Sequence, residues 1–219
     1  TDLDSANLLL KSKRAFSGAL CDSPFLIYST IDIRNTYNDF QETIPISIEE
    51  PQSLAGCLFA TKVLACRMAE ESARKYDKTL IWIDPACLLL RPPAELVLQP
   101  PFRAAFRPVH ISNIGQPAGE QLSAYWKYIY DQSGGRVPDY TVTSFVDARK
   151  ILPYFNSHCF SLDPNSGLCS IWMSKLEEIW KDKPFIQSLV EPAQRIFLFQ
   201  AVLSAIITSK LTQDEIRIL

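Results

Sequence analysis

The sequence predicts an α/β domain with a mostly parallel or mixed sheet between helical layers. Three observations carry that expectation. Short apolar runs that read as strands alternate with segments of helical periodicity along the chain. Fifteen prolines fall mainly between those runs, while seven glycines are too few for flexible linkers. Hydrophobic residues make up 47% and charged residues 21% of the 219 residues. This is ordinary globular usage, and it excludes a disordered, collagen-like or coiled-coil chain.

Asn7 to Phe16 has apolar spacing suited to a helix, and Pro24 to Ile33 contains FLIYSTIDI, a strand ending in a turn at Asn35. Pro51 to Lys75 is expected as one long helix, with Pro51 in the first turn and Arg74 and Lys75 in the last. Thr79 to Ile83 is a continuous apolar run, as a strand covered on both faces requires. After Arg91, Pro92 and Pro93 come a short segment from Ala94 to Leu98 and a strand from Phe102 to Phe106. A helix is expected from Gly119 to about Asp131, a loop at Gly134 and Gly135, and strands at Tyr140 to Phe145 and Tyr154 to Leu162. Leu168 to Lys181 and Pro192 to Lys210 are the closing helices. No domain boundary, repeat or low-complexity tract interrupts this order, so one domain over 1–219 is expected.

Charge and cysteine usage narrow the function classes. Lys and Arg number 22 against 24 Asp and Glu, a net charge of -2. No global basic field is available to hold a nucleic acid backbone. The longest uncharged apolar stretch, Ile196 to Ser209, is short of the roughly 20 residues of a membrane span and reads as a buried helix. No secretion signal opens the chain, and the six cysteines form no CxxC pair. They read as small core residues in a reducing compartment, so cytoplasmic residence is the default expectation.

Two polar residues stand out. On the expected helix from Pro51 to Lys75, the neighbours of Lys62 at three, four and seven positions are Ala55, Leu58, Phe59, Ala65, Cys66 and Ala69, all apolar. An ammonium on that stripe must snorkel to water, enter an ion pair or meet an anion such as a ligand phosphate. Asp84 follows TLIWI directly, at the carboxyl end of an expected central strand, where open α/β sheets place their ligand crevice. It either caps a turn before Pro85 or faces a metal ion or sugar hydroxyl. Because the helix runs straight into the strand, both residues can face one crevice. Tyr125, Trp126, Tyr128 and Tyr130 form a further cluster, suited to the core or to a stacking platform for an acceptor sugar. With two histidines, no HExxH, no GxSxG, no Walker loop and no GxGxxG, zinc, hydrolase, P-loop and Rossmann readings lack motifs.

The block FATKVLACRMAEESARKYDKTLIWIDPACLLLRPP, Phe59 to Pro93, resembles the core of the glycosyltransferases of the GT-A, or nucleotide-diphospho-sugar transferase, fold. There a Lys-bearing helix precedes an apolar strand ending in Asp-x-Asp. LLLKSKRAF before FLIY, then AFRPV, YFNSHCFSLDP and FQAVLSAII follow in the same order, so the resemblance covers most of the chain. It implies a three-layer αβα sandwich and transfer of a sugar from a nucleoside diphosphate sugar to an unknown acceptor. By the same carry-over Asp84 contacts ribose or Mn²⁺ or Mg²⁺, Lys62 holds phosphate, and Asn156 and Ser157 line the sugar pocket.

Departures from the pattern are concrete. Ala86 takes the place of the second acid, leaving one carboxylate for a metal. His158 stands where Gly is usual, and an imidazole there either fills the sugar pocket or touches the ligand; Phe199 precedes Gln200 where an acid is common in the family, with Gln200 left to line the site. The chain starts at a helix where the family opens with a nucleobase-binding strand. The alternative is therefore a catalytically inactive sugar- or nucleotide-binding module of the same fold.

Overall fold

The computed structural model describes residues 3–33 and 43–219. The turn expected at Asn35 lies outside them. Helix α1 (Leu3–Phe16) leads into strand β1 (Phe25–Ser29), which pairs in parallel with β2 (Thr43–Ser47). Helix α2 (Ala60–Lys75) follows, then β3 (Leu80–Ile83), β4 (Ala104–Pro108), α3 (Ala124–Ser133), the short pair β5 (Val142–Thr143) and β6 (Lys150–Ile151), and β7 (Phe155–Leu162). The chain closes with α4 (Leu168–Lys181), α5 (Lys183–Ser188), α6 (Pro192–Ile196), α7 (Leu198–Lys210) and β8 (Ile216–Ile218).

The main sheet has the order β3-β7-β4-β8. Strand β7 is antiparallel to both neighbours and β4 is parallel to β8, so the sheet is mixed. Helices α2, α3, α4 and α7 pack on one another and on this sheet. Their shared core includes Val63, Cys66, Trp126, Ile129, Phe155, Phe160, Trp172, Leu176 and Leu203. Phe106 lies 5.1 Å from Phe160, ring to ring, across adjacent strands. As the uncharged stretch predicts, α7 is buried along nearly its whole length, and no helix among the described residues is long and apolar enough to cross a membrane. A second, smaller cluster joins Leu10 of α1 to Ile27 and Ile33.

The helix expected from Pro51 begins only at Ala60. Pro51 instead precedes a 3₁₀ turn at Gln52–Leu54, and Gly56 (φ 75°) and Phe59 (φ 63°) both take the left-handed conformation, which stops a right-handed helix from running through. Ala55, Leu58 and Phe59 are consequently exposed and precede the helix, whereas Ala65, Cys66 and Ala69 are buried as expected. The second correction concerns β3. It lies at one edge of the hydrogen-bonded sheet rather than at its centre, and β1 approaches it through a Tyr28–Trp82 ring contact of 6.4 Å without a ladder.

Other boundaries move for local reasons. Phe102 is still turning, its N–H bonded to the Gln99 carbonyl, so β4 starts two residues late. Ser123 accepts from the Trp126 N–H at 3.3 Å and sets the start of α3, which Gly134 (φ 132°) ends. The expected Pro192 to Lys210 helix breaks at Phe197, and the Tyr140 to Phe145 strand shrinks to Val142 and Thr143.

Candidate functional site

Four elements bring their polar residues to the carboxyl end of β3. Lys62, in the first turn of α2, donates from Nζ to Asp84 Oδ2 at 2.7 Å and to Ser157 Oγ at 3.1 Å. The Ser157 N–H and hydroxyl on β7 in turn donate to Gln200 Oε1 of α7 at 3.3 and 3.2 Å. Asp84 Oδ1 accepts from Trp82 Nε1 at 2.7 Å. Trp82 and Asp84 are two residues apart along an extended segment, so their side chains leave on the same side.

His158 sits at the open rim, with Nδ1 3.4 Å from Asp84 Oδ2 and its side chain 55% exposed. Its carbonyl accepts from the Asp84 N–H at 2.7 Å, continuing the ladder beyond β3. Burial lowers the His158 pKa below its ordinary value, the Asp84 carboxylate opposes that, and Lys62 and His110 reinforce it. Asn156 reaches this cluster through its Oδ1, which accepts the His158 N–H at 2.7 Å, and it makes no hydrogen bond to Lys62 or Asp84.

The six residues singled out from the sequence therefore meet, through one continuous set of contacts. The Asp84 side chain does not cap the turn at Pro85, since its two oxygens accept from Lys62 Nζ and Trp82 Nε1. The turn at Pro85 is closed by backbone, Cys87 N–H to Asp84 carbonyl at 2.9 Å. Lys62 is an ion-paired lysine.

Sequence reasoning passed over two contributors. Trp82 holds the second oxygen of Asp84, and within the apolar run TLIWI nothing distinguishes it from a core aromatic. Phe59, in its left-handed conformation, stacks on Phe199 at 4.6 Å between ring centres, and the same Phe199 ring lies 5.7 Å from Lys62 Nζ. Phe199 thus packs against the ammonium. The aromatic cluster of α3 belongs to the core, since Tyr125, Trp126 and Tyr130 are buried and Tyr128 stacks on Phe185 at 3.8 Å.

The donor set for a divalent ion is thin. Both Asp84 oxygens already accept strong N–H donors, position 86 is Ala, and among the described residues no group of three or more His, Cys, Asp or Glu side chains could hold a metal. The six cysteines are free thiols, with Cys57, Cys66 and Cys169 buried and Cys21, Cys87 and Cys159 partly exposed.

Comparison with known families assigns the chain to a class, the glycosyltransferase domains. The family model is described as the Rhodobacterales glycosyltransferase domain, it matches residues 35–210, and the chain belongs to that family. The matched span contains every residue of the site. No curated protein and no solved structure matches the chain.

Proposed function

We propose that this domain has the GT-A architecture and transfers a sugar from a nucleoside diphosphate sugar, bound at the carboxyl end of β3, to an acceptor. The observation that carries the reading is the Lys62 ammonium, held by Asp84 and Ser157 at the carboxyl end of β3 in a chain of a glycosyltransferase family. Departure of a nucleoside diphosphate develops negative charge on the bridging phosphate oxygen. A fixed ammonium in a site largely shielded from water stabilises that charge without reorganising.

In this reading Lys62 binds the diphosphate and Asp84 positions Lys62. Trp82 and the Ser157–Gln200 pair hold those two groups in place. Asn156 fixes the backbone at His158, whose exposed imidazole contacts the sugar. One carboxylate with both oxygens engaged does not suit Mn²⁺ or Mg²⁺, which need about six oxygen ligands, and no step is assigned to either ion. The same engagement favours a second reading, an inactive nucleotide- or sugar-binding module, because Asp84 already neutralises the charge that would hold phosphate.

Calorimetric titration with UDP, GDP and their sugar conjugates, with and without Mn²⁺, tests the proposal. Binding should weaken roughly tenfold in Lys62→Ala and in Asp84→Ala, the size expected for one charge-assisted contact, with little dependence on Mn²⁺. Absence of nucleotide binding overturns it. Binding without slow hydrolysis of any sugar conjugate selects the inactive module.

A further inference from the structure

A second polar feature lies on the far side of β7 from Lys62. Arg107, near the carboxyl end of β4, makes neither an ion pair nor a side-chain hydrogen bond among the described residues, whereas Arg67, Arg74, Arg91, Arg103 and Arg149 each lie within 4.0 Å of a carboxylate. Its guanidinium instead sits 4.1 Å over the Phe145 ring. That ring is 67% exposed, yet its backbone is fixed. The Phe145 N–H bonds the Val109 carbonyl at 3.0 Å, and the next N–H bonds the His110 carbonyl.

Arg107 and Phe145 line a groove of about 340 Å³ whose other walls include Thr141, Thr143, Ile218 and Leu219. A half-buried guanidinium without an acceptor, a fixed aromatic face in water and two hydroxyls are complementary to a ring with an apolar face and an anionic substituent.

From this juxtaposition we infer that the groove is an acceptor subsite for a sugar carrying a carboxylate or phosphate, with Arg107 on the anion and Phe145 on the ring. The inference rests on the transferase reading above. Its place beside the donor site follows from β7. Strands β3 and β4 both run antiparallel to it, so the carboxyl ends that lead to Asp84 and carry Arg107 lie at the same end of the sheet with β7 between them. His110, just beyond β4, has its ring 6.3 Å from that of Phe145.

The test is titration of the full chain with glucuronate, glucose 6-phosphate, glucose and inorganic phosphate, with UDP titrated in parallel. Both charged sugars should bind roughly tenfold tighter than glucose, and glucose 6-phosphate tighter than phosphate alone. Arg107→Gln should abolish the preference and Arg107→Lys should restore part of it. Phe145→Ala should weaken all three sugars, and Lys62→Ala should weaken none. Equal binding of charged and neutral sugars, or a preference that survives Arg107→Gln in a variant with unchanged melting, overturns the subsite. Failure of UDP to bind while the charged sugars still do overturns the transferase reading and not the groove. The ratio between glucuronate and glucose 6-phosphate identifies which anion is taken.

Discussion

An ammonium and a carboxylate with 11% and 15% of their side chains exposed have lost most of their water, so each depends on the other for its remaining solvation. Lys62→Met leaves Asp84 with Trp82 Nε1–H and the His158 imidazole. It should cost about 2 kcal/mol in urea denaturation, with a smaller further cost when Asp84→Asn is added. Additive losses would show that the two groups are solvated independently. His158 supplies a pH signature. Its folded pKa is below 6.5, so as pH falls the unfolded chain takes up a proton first, and stability present above that value is lost progressively below it. Between pH 7.5 and 5 the melting temperature of His158→Gln should therefore fall less than that of the parent. Matching slopes would assign the acid sensitivity elsewhere. Lys62 and Asp84 were legible in the sequence because a lysine beside Ala65, Cys66 and Ala69 and an acid ending an apolar run are costly arrangements. Trp82 was not, since an aromatic inside a strand reads as core until its indole N–H finds an acceptor.

At the scale of elements, the position of Lys62 depends on what anchors α2, and one anchor is a buried carboxylate. Glu70 is fully buried and accepts from the Cys169 and Ser170 N–H groups at 2.9 and 3.1 Å and from the Ser170 hydroxyl at 3.0 Å. It thus caps the first turn of α4 from a neighbouring helix, where the N-cap itself is Gly167, with no side chain to offer. Arg74 lies 3.6 Å away and shares the charge. Glu70→Ala should destabilise by about 3 kcal/mol, and Glu70→Gln, which keeps one acceptor oxygen, by less, as read from denaturant midpoints. Equal losses would point to packing rather than capping. The bounds of α4 agree with the periodicity alone, because its apolar stripe is strong and Gly167 and Asp182 frame it. Strands β2 and β8 were missed for different reasons. Pro45 argues against a ladder and is tolerated where a strand has one partner, and Ile216–Ile218 is a strand only because β4 lies beside it.

Across the whole molecule, alternating apolar runs and helical segments foretell an α/β fold with a mixed sheet, but they carry no information on where a ladder is interrupted. Here the β1–β2 pair shares no ladder with β3, and its contact with α1 rests on Leu10, Ile27 and Ile33. The β3-β7-β4-β8 sheet instead lies under α2, α4 and α7 in one extended apolar core. So small a cluster contributes far less burial energy than the main core, which makes opening of the amino-terminal unit easier than global unfolding. Native-state hydrogen exchange in low denaturant should show the Ile27 and Tyr28 amides exchanging through an opening well below the global free energy, with Phe106 and Phe160 exchanging only on global unfolding. Equal protection at all four would make α1, β1 and β2 part of one cooperative unit with the rest of the chain. The distinction bears on the site. Tyr28 packs on Trp82, which holds Asp84, so a separately opening β1 would couple motion of the amino-terminal unit to the polar cluster at the end of β3.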